Sequence, residues 1–272
     1  MPVVVHLSDV HFGAHDDAVA ERLLDEVSGH HPDLVVVSGD LTQRATRAQF
    51  ARARRFLDRL PGTVLTVVGN HDLPLVDLPL RFVSGTRRYQ ESITEDLDPV
   101  VSVAGIRAVG LDSMPSWRWK AGHVSPRQAD LVREEFAATP DGTWRVLVTH
   151  HPVLPDHRAG LVGRDLLVRA CAEARVAVLL SGHTHTPTAD IVTLDAPGTR
   201  RTALAVVAGT AVSTRTRGAP NAYGVLSFEG PMTPGATAVL TVRHHTSQGW
   251  VDGPVTRCTV TGDGLAAVPA TV

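Results

Sequence analysis

Cysteine is scarce in this 272-residue sequence, where Cys171 and Cys258 are the only two. Without a secretory signal, such a lone pair favours two buried thiols over a disulfide. Long apolar runs are also missing, because no stretch reaches the ~20 residues that cross a bilayer. The first residues lack the charged segment, the apolar segment and the cleavage site of a signal peptide. These absences predict a cytoplasmic protein with no membrane span.

A large charge of one sign is missing as well. The net charge is −2, from 26 basic and 28 acidic residues. A nucleic-acid-binding protein usually carries a basic stripe, and none is visible here, so we expect no stable nucleic-acid partner. The sequence also lacks low-complexity runs, repeats and linker-like segments, which favours one domain over residues 1–272. Whether that domain forms a homodimer stays open.

Short Val- and Leu-rich runs alternate with helix-like segments over the first two thirds of the chain. The predicted strands are 3–7, 34–38, 64–68, 146–149 and 176–180. The predicted helices are 17–28, 47–60, 126–138 and 163–174. Continuous apolar runs are typical of strands buried on both faces, and their alternation with helices predicts an α/β fold.

The final third has a different pattern, with strands and no helix between them. The predicted strands here are 191–194, 203–208, 223–228, 238–245 and 255–260. We expect residues 190–262 to form a second, mostly antiparallel sheet that packs on the first. Residues 73–99 and 113–124 are expected to be loop insertions over the rim of the site.

Each of the first five predicted strands leads into a polar cluster with metal-binding residue types. The candidates are Asp9, His11, Asp40, Asn70, His150, His183 and His185. One such residue at a strand end is more often a solvated loop residue or a helix cap. Ligands of α/β sheets bind beyond the carboxyl ends of the strands, however, so five clusters together indicate one site. Mixed nitrogen and oxygen donors suit Mn, Fe, Zn or Co better than Mg or Ca.

The order of these motifs resembles the calcineurin-like metallophosphoesterase superfamily over about residues 5–185. The matching motifs are Asp9-x-His11, Gly39-Asp40, Gly69-Asn70-His71-Asp72, His150 and Gly182-His183-x-His185. The first and last of them most resemble the branch that contains bacterial cyclic-nucleotide phosphodiesterases and glycerophosphodiesterases. The resemblance implies a four-layer αββα sandwich, in which two packed mixed sheets are flanked by helices.

The same resemblance implies how the ligands are divided between two divalent or mixed-valence transition metal ions. One ion would be held by Asp9, His11 and His185, the other by Asn70, His150 and His183, with Asp40 bridging them. Such ions lie about 3.5–4 Å apart, and a bridging hydroxide attacks the phosphorus. Mn and Fe are favoured, with Zn and Co as alternatives.

Two residues beside Asn70 are assigned to catalysis from the resemblance. His71 would face the phosphate as an electrostatic stabiliser or general acid, and Asp72 would orient its ring. The sequence departs from the family at Gln43, because many members carry an acid three positions after the Gly-Asp aspartate. That departure leaves open how His71 is tuned. Adjacent side chains of an extended segment point to opposite sides, so only one of His150 and His151 can readily face the metals. The resemblance implies that this residue is His150, which leaves His151 to support the site or face the phosphate.

The remaining candidates are weaker. Trp117 and Trp119 could stack on a nucleobase, but we favour packing of the insertion onto the core. His6 is interpreted as structural. Several other residues, in loops that could approach the site, are given no role: Arg87, Arg88, Arg118, Lys120, Arg215, Arg217 and Asn221.

These patterns predict a two-metal phosphoesterase that hydrolyses a phosphodiester, with a 3′,5′-cyclic nucleotide as one candidate for its small phosphate-ester substrate. The alternatives within the fold are a phosphomonoesterase and a hydrolase of phospholipids or nucleotides. A metal-dependent nuclease is less favoured because no basic stripe is present. A non-catalytic scaffold is disfavoured because every expected ligand position is filled.

Overall fold

The computed structural model describes residues 1–75, 78–153 and 160–269, so residues 76–77 of the first predicted insertion lie outside it. Its helices are α1 (Asp17–Gly29), α2 (Arg47–Leu57), α3 (Leu78–Ser84), α4 (Arg87–Ser92), α5 (Pro126–Ala137) and α6 (Arg164–Glu173). Its strands are β1 (Val3–Leu7), β2 (Leu34–Val37), β3 (Thr63–Thr66), β4 (Val100–Val103), β5 (Ile106–Leu111), β6 (Gly122–His123), β7 (Trp144–Thr149), β8 (Leu161–Val162), β9 (Val178–His185), β10 (Thr188–Ala196), β11 (Thr199–Gly209), β12 (Ala222–Glu229), β13 (Thr237–Thr246), β14 (Gly249–Thr261) and β15 (Gly264–Ala267).

The long strands form two mixed sheets. The first sheet has the order β3-β2-β1-β12-β13-β14-β15, with β1 to β3 parallel and the later strands antiparallel to their neighbours. The second has β11, β9, β7 and β5 parallel, with antiparallel β10 and β4 at its ends. One residue pair, Thr202 with Gly264, joins the two ladders at an edge. The short strands β6 and β8 pair separately.

Three buried apolar clusters separate four layers. The first cluster, which includes Phe50, packs α1 and α2 on the outer face of the first sheet. The second contains Val36 and Val146 and fills the space between the two sheets. The third, which includes Phe136, packs α5 and α6 on the outer face of the second sheet. The expected αββα sandwich of two mixed sheets is therefore confirmed.

Strand β1 shows why its sequence reads as a continuous apolar run. Val4 belongs to the cluster between the sheets, whereas Val5 and Leu7 belong to the cluster beneath α1 and α2. Because both faces of the strand are covered, no position needs to be polar for the sake of solvent.

The expectation that residues 190–262 form the second sheet by themselves is wrong. Strands β10 and β11 extend the sheet of β7 and β9, whereas β12 to β14 extend the sheet of β1 to β3. Strand β1 pairs in antiparallel register with β12, where Val4 lies opposite Leu226. An apolar run identifies a strand, but its partner is chosen by long-range packing, which the pattern does not encode.

The four helices expected outside the insertions are present, with capping residues that explain their starts. The Asp16 side chain accepts hydrogen bonds from the first turn of α1, at 2.9 Å from Ala18 N and 3.0 Å from Val19 N. Ser125 and Gln128 form a reciprocal capping box at α5. Both Cys171 and Cys258 are buried and free, as expected. Among the described helices, none is long and apolar enough to cross a membrane.

The two predicted insertions are fastened to each other. The first is not a plain loop, because it contains α3 and α4. Its Arg81 is buried and donates hydrogen bonds to the backbone carbonyls of Pro74 and Ser116, each at 3.1 Å, and to that of Arg118. One guanidinium therefore ties residues 74 and 81 to the second insertion.

Candidate metal centre

The candidate ligands lie where the carboxyl ends of parallel strands from both sheets meet. The first sheet supplies Asp9, His11, Asp40 and Asn70, which follow β1, β2 and β3; the second supplies His150, after β7, and His183 and His185, at the end of β9. The two rims approach closely at Gly182, where a Cβ atom would lie 1.8 Å from Ser8 Oγ. Only glycine fits that approach, which explains the glycine of the Gly182-His183 motif.

Four of the candidates form one compact group. One ligand atom each from Asp9, His11, Asp40 and His185 lie within 4.8 Å of one another, and all four residues are buried. His185 Nε2 is 3.1 Å from Asp9 Oδ1. His11 Nε2 is 3.7 Å from Asp40 Oδ2. The carboxylate oxygens and ring nitrogens of these four residues therefore point toward one common space.

The other three candidates form an adjoining group on the opposite side of Asp40. Asn70 Oδ1 is 2.8 Å from His183 Nδ1 and 3.2 Å from His150 Nε2. His150 Nε2 is 3.5 Å from Asp40 Oδ1. Asp40 thus turns one oxygen toward each group, which is the arrangement expected of a carboxylate that bridges two cations.

Two buried carboxylate oxygens fit this interpretation because nothing else satisfies them. Asp9 Oδ1 and Asp40 Oδ2 have no hydrogen-bond donor within the described structure. Leaving a buried carboxylate oxygen unpaired is costly, and coordination of a cation removes that cost. The donor set of carboxylate, amide oxygen and imidazole is suited to first-row transition metals. The residues present therefore fit a binuclear metal site.

Backbone carbonyls orient two of the imidazoles. His150 Nδ1 lies 2.8 Å from the Ser38 carbonyl oxygen, and His185 Nδ1 lies 2.8 Å from that of Arg215. A carbonyl can only accept, so the ring proton is on Nδ1 in both cases. The lone pair of each ring is then on Nε2, which points into the centre and is free to bind a metal.

Five of the seven candidates have a left-handed backbone. Positive φ angles of 50°, 51°, 54°, 70° and 65° occur at Asp9, His11, Asp40, His183 and His185 respectively. This conformation costs roughly 1–2 kcal/mol for a residue other than glycine, although Asp and His adopt it more readily than most. Backbone strain of this kind is concentrated at functional sites, where the orientation that a side chain needs requires an unfavourable backbone conformation.

In the metal-free protein, the electrostatics of the cluster keep Asp9, Asp40 and His183 in the forms that bind metals. The pKa of His11 shifts the other way, because the effect of burial is outweighed by Asp9 and Asp40 and the pKa is raised. Burial alone would raise the pKa of Asp9, but the adjacent rings of His11 and His185 outweigh it and hold the pKa well below its usual value. For Asp40 burial is likewise outweighed, chiefly by His150 and His11, and the pKa is lowered. Burial lowers the pKa of His183 to about 4. The carboxylates are therefore ionised and the His183 ring is neutral near pH 7.

His71 stands beside the two groups rather than within them. Its ring lies 4.9 Å from that of His11, measured between centroids. Its Nδ1 donates to the Gln43 carbonyl at 2.9 Å, so only Nε2 is available to a substrate. The pKa of His71 is lowered, mainly by burial; Asp40 opposes this shift, while His11 and Arg215 add to it.

The orienting role expected for Asp72 is wrong. Its Oδ2 accepts hydrogen bonds from Leu41 N at 3.1 Å and Gly69 N at 3.0 Å, and its Oδ1 accepts one from Thr42 N at 2.8 Å. Asp72 therefore shapes the backbone that presents Asp40 and Asn70, while the Gln43 carbonyl orients the His71 ring. Burial, more than any other cause, raises the pKa of Asp72 to about 7.

The ring of His151 packs against that of His183, with centroids 4.6 Å apart, but its nitrogens contact the second insertion and not the ligand atoms. Its Nδ1 is 2.8 Å from Ser113 Oγ and its Nε2 is 2.8 Å from the Lys120 carbonyl oxygen. It therefore supports the site by anchoring residues 113–124. Trp117 and Trp119 on that segment are 63% and 47% exposed, so the expectation that they pack on the core is wrong.

Sequence reasoning assigned no role to Ser38 or Arg215, the two residues whose carbonyls orient the imidazoles. Ser38 contributes only backbone to His150, so its side chain gave no signal. Arg215 lies in the loop after β11, which runs parallel to β9. The carboxyl ends of parallel strands meet at the same edge of a sheet. If the sequence had shown that β11 is parallel to β9, this rule would have placed the loop after β11 at the site.

The fold and the site define a class: an αββα sandwich with a candidate binuclear metal centre at the junction of its two sheets. The chain belongs to the calcineurin-like phosphoesterase family, whose model matches residues 2–187.

Relatives by sequence are bacterial. A probable cyclic nucleotide phosphodiesterase of Rhodococcus erythropolis is 30% identical over 203 residues, which cover 67% of this chain and 64% of that protein. A cAMP/cGMP dual specificity phosphodiesterase of Mycobacterium tuberculosis is 30% identical over 206 residues, which cover 67% of this chain and 61% of that protein. The match thus spans less than two thirds of either relative.

Solved structures share the fold at lower identity. A dimetal phosphatase from Danio rerio superposes with a TM-score of 0.63 at 17% identity, covering 92% of this chain and 98% of that one. A purple acid phosphatase from yellow lupin gives a TM-score of 0.65 at 12% identity, covering 100% of this chain and 57% of that one. At these identities the likeness concerns the fold alone.

Proposed function

We propose that this protein is a two-metal phosphoesterase that hydrolyses a phosphodiester. The observation that carries the proposal is the placement of Asp40, whose two carboxylate oxygens face two adjoining groups of ligand atoms. Two cations held in this way would bind the phosphoryl oxygens of the substrate and the water molecule that attacks its phosphorus. Membership of the phosphoesterase family supports this reading.

The proposed ligands follow the two groups. Asp9, His11 and His185 would hold one ion, Asn70, His150 and His183 would hold the other, and Asp40 would contribute to both. Mn and Fe are our first choices and Zn and Co the alternatives, because mixed imidazole and carboxylate ligation suits all four. When bound, such ions lower the pKa of a coordinated water and neutralise phosphoryl charge.

In this proposal His71 acts on the substrate. Its Nδ1 proton is committed to the backbone carbonyl of Gln43, so Nε2 is the ring nitrogen left for contact with a substrate. The lowered pKa keeps the ring neutral in the free protein. A bound anionic phosphate favours protonation of Nε2, and the imidazolium then donates to the leaving-group oxygen. Asp72 contributes indirectly, through the loops that carry Asp40 and Asn70.

We further propose a 3′,5′-cyclic nucleotide as the substrate. The support is the two relatives at 30% identity, whose names describe cyclic nucleotide phosphodiesterases.

Substrate profiling of metal-loaded protein tests the proposal. Bis-p-nitrophenyl phosphate reports diesterase activity and p-nitrophenyl phosphate reports monoesterase activity, with cAMP and cGMP assayed beside them. We expect turnover of the diester and of at least one cyclic nucleotide, and loss of both after chelation. Good monoester turnover without diester turnover would contradict the diesterase assignment.

A further inference from the structure

Arg215 places a cationic side chain at the candidate centre that the mechanism above does not use. Its Nη1 atom is 3.2 Å from His71 Nε2 and 3.2 Å from Gln43 Oε1. Within the described residues, no carboxylate forms an ion pair with this guanidinium, and its Nη2 and Nε atoms have no hydrogen-bond partner. The charge is therefore available to an anion that enters beside His71.

The backbone of Arg215 is fixed although its side chain is exposed. Its amide donates to Ser213 Oγ at 3.0 Å, and its carbonyl accepts from His185 Nδ1 at 2.8 Å. The preceding residue, Thr214, donates to the Ala14 carbonyl at 2.9 Å, which ties the loop to the segment after His11. The side chain of Arg215 therefore extends from a fixed backbone next to the ligand atoms.

Gln43 stands where many family members carry an acidic residue, and its contact with Arg215 suggests a physical reason for the neutral side chain. Its amide oxygen accepts a hydrogen bond from Arg215 without adding negative charge. A carboxylate at this position would pair with the guanidinium and compete with any incoming anion. The neutral side chain holds Arg215 near the centre and leaves its charge uncompensated.

We propose that Arg215 is a substrate-binding residue that grips a non-bridging phosphoryl oxygen, and that Gln43 positions it before the substrate arrives. When the guanidinium turns from His71 Nε2 to the phosphate, that nitrogen is released to face the leaving-group oxygen. A planar guanidinium offers two parallel donors to a phosphate, which suits this role better than the single point charge of lysine. The inference rests on the proposed phosphoesterase function, which supplies the phosphate.

Calorimetric titration of inorganic phosphate into the metal-loaded protein tests the role of Arg215 without requiring turnover. We expect Arg215→Ala to weaken phosphate binding by about 10- to 100-fold, the worth of a charge-assisted contact. Its metal content should match wild type, because only the backbone carbonyl of Arg215 touches His185. Arg200→Ala is the control, an exposed arginine that pairs with Asp195 away from the candidate ligands, and should bind phosphate like wild type. Unchanged affinity in Arg215→Ala would overturn the proposal.

A second pair of variants covers the case in which Arg215→Ala loses metal. Arg215→Lys keeps the charge and Arg215→Gln keeps a long polar side chain without it. We expect the lysine variant to bind phosphate several-fold more tightly than the glutamine variant, and equal affinities would overturn the role of the charge. We expect Gln43→Ala to weaken phosphate binding several-fold, because Arg215 loses the hydrogen bond that positions it, and Gln43→Glu to weaken it further. Wild-type affinity in Gln43→Ala would overturn the positioning role of Gln43. A wild type that binds phosphate through Arg215 but cleaves no diester would contradict only the proposed function.

Discussion

His150 Nδ1, at the end of a strand in the second sheet, donates a hydrogen bond of 2.8 Å to the Ser38 carbonyl, at the end of a strand in the first sheet. The same bond aims Nε2 of the ring at Asn70 and Asp40. Ligand orientation is therefore coupled to the spacing of the two sheets. A change that moves one rim relative to the other should disturb the metal centre even where no ligand is replaced.

Gly182→Ala tests this coupling. The added Cβ would lie 1.8 Å from Ser8 Oγ and 2.6 Å from Asp9 Oδ2, so these buried side chains, or the strand ends that carry them, must shift. We expect a loss of about 1–3 kcal/mol in the free energy of unfolding, as for other overpacked sites, together with a lower content of bound metal. Urea denaturation and elemental analysis provide the measurements. Gly29→Ala is the control, because a Cβ there meets nothing within 4 Å; wild-type metal content in Gly182→Ala would contradict the coupling.

Asp40→Ala should abolish both metal binding and hydrolysis. It removes the one side chain that faces both ligand groups, so neither ion keeps its proposed set of donors. The loss of several kcal/mol of transition-state stabilisation corresponds to a fall of at least about a thousandfold in kcat/KM. Metal content and the hydrolysis of bis-p-nitrophenyl phosphate are measured on the same preparation. Retention of two ions per chain would show that Asp40 does not bridge them.

His71→Ala should slow hydrolysis while leaving both ions in place. The ring contacts Gln43 and Arg215, and its side chain belongs to neither ligand group. Removal of a general acid typically costs about 10²- to 10⁴-fold in rate. The comparison with Asp40→Ala separates the two roles, since equal metal loss in both variants would refute a substrate-facing function for His71.

His6 predicts how the metal-free protein responds to acid. The ring is buried, and its Nε2 lies 2.9 Å from Ser38 Oγ; burial lowers its pKa to about 3, although Asp9 opposes the shift. Because the folded pKa is below the unfolded value of about 6.5, the native state binds fewer protons. The stability present above pH ~6.5 is thus lost as the pH falls toward 3, at roughly 1 kcal/mol per pH unit.

His6→Gln should remove that part of the pH dependence. Urea denaturation in the presence of a chelator, at pH 7 and pH 5, gives the change in unfolding free energy for each protein. We expect wild type to lose more stability than His6→Gln over this interval. Between pH 7 and pH 8 the two should change in parallel, because the ring is neutral in both states. A difference of the same size in both intervals would assign the effect to something other than His6.

Arg81→Leu should loosen the second insertion. Its guanidinium donates to the carbonyls of Pro74, Ser116 and Arg118, and these bonds have no substitute in the variant. Trypsin should then cleave faster after Arg118 or Lys120, which limited proteolysis with mass spectrometry detects. Arg87→Ala is the control, because Arg87 makes an exposed pair with Glu91. Equal cleavage rates for Arg81→Leu and wild type would contradict the fastening role.

The sequence predicted the helices outside the insertions well, because their signals are local. The cap at Ser125 and the proline that follows it fixed the start of α5. The ends were less certain, since α2 stops at Leu57 rather than at residue 60. The predictions missed β4 and β5 and both short helices of the first insertion. An arginine and a glycine interrupt the apolar run of β5, and α3 and α4 are shorter than the roughly 12 residues at which an isolated helix becomes stable.

The candidate ligands were found from the sequence, but the supporting residues were not. A histidine or aspartate after an apolar run is visible in one dimension. The partners of Asp72 are backbone amides of residues 41, 42 and 69, which no side-chain pattern reveals. The same holds for the carbonyls of Gln43 and Arg215, which orient His71 and His185.

By itself the sequence determined the α/β class, the strand ends that carry the donors, and the chemistry of those donors, because these depend on local periodicity and residue type. The tertiary structure alone decided that the donors come from two sheets, that Asp40 faces both groups, and that Gln43 and Arg215 meet at His71. The physical reason is that strand pairing and rim-to-rim contact are long-range events. They depend on how the apolar faces of the two sheets pack in three dimensions. The close approach of their strand ends, at positions such as Gly182, then fixes the orientation of the ligand side chains.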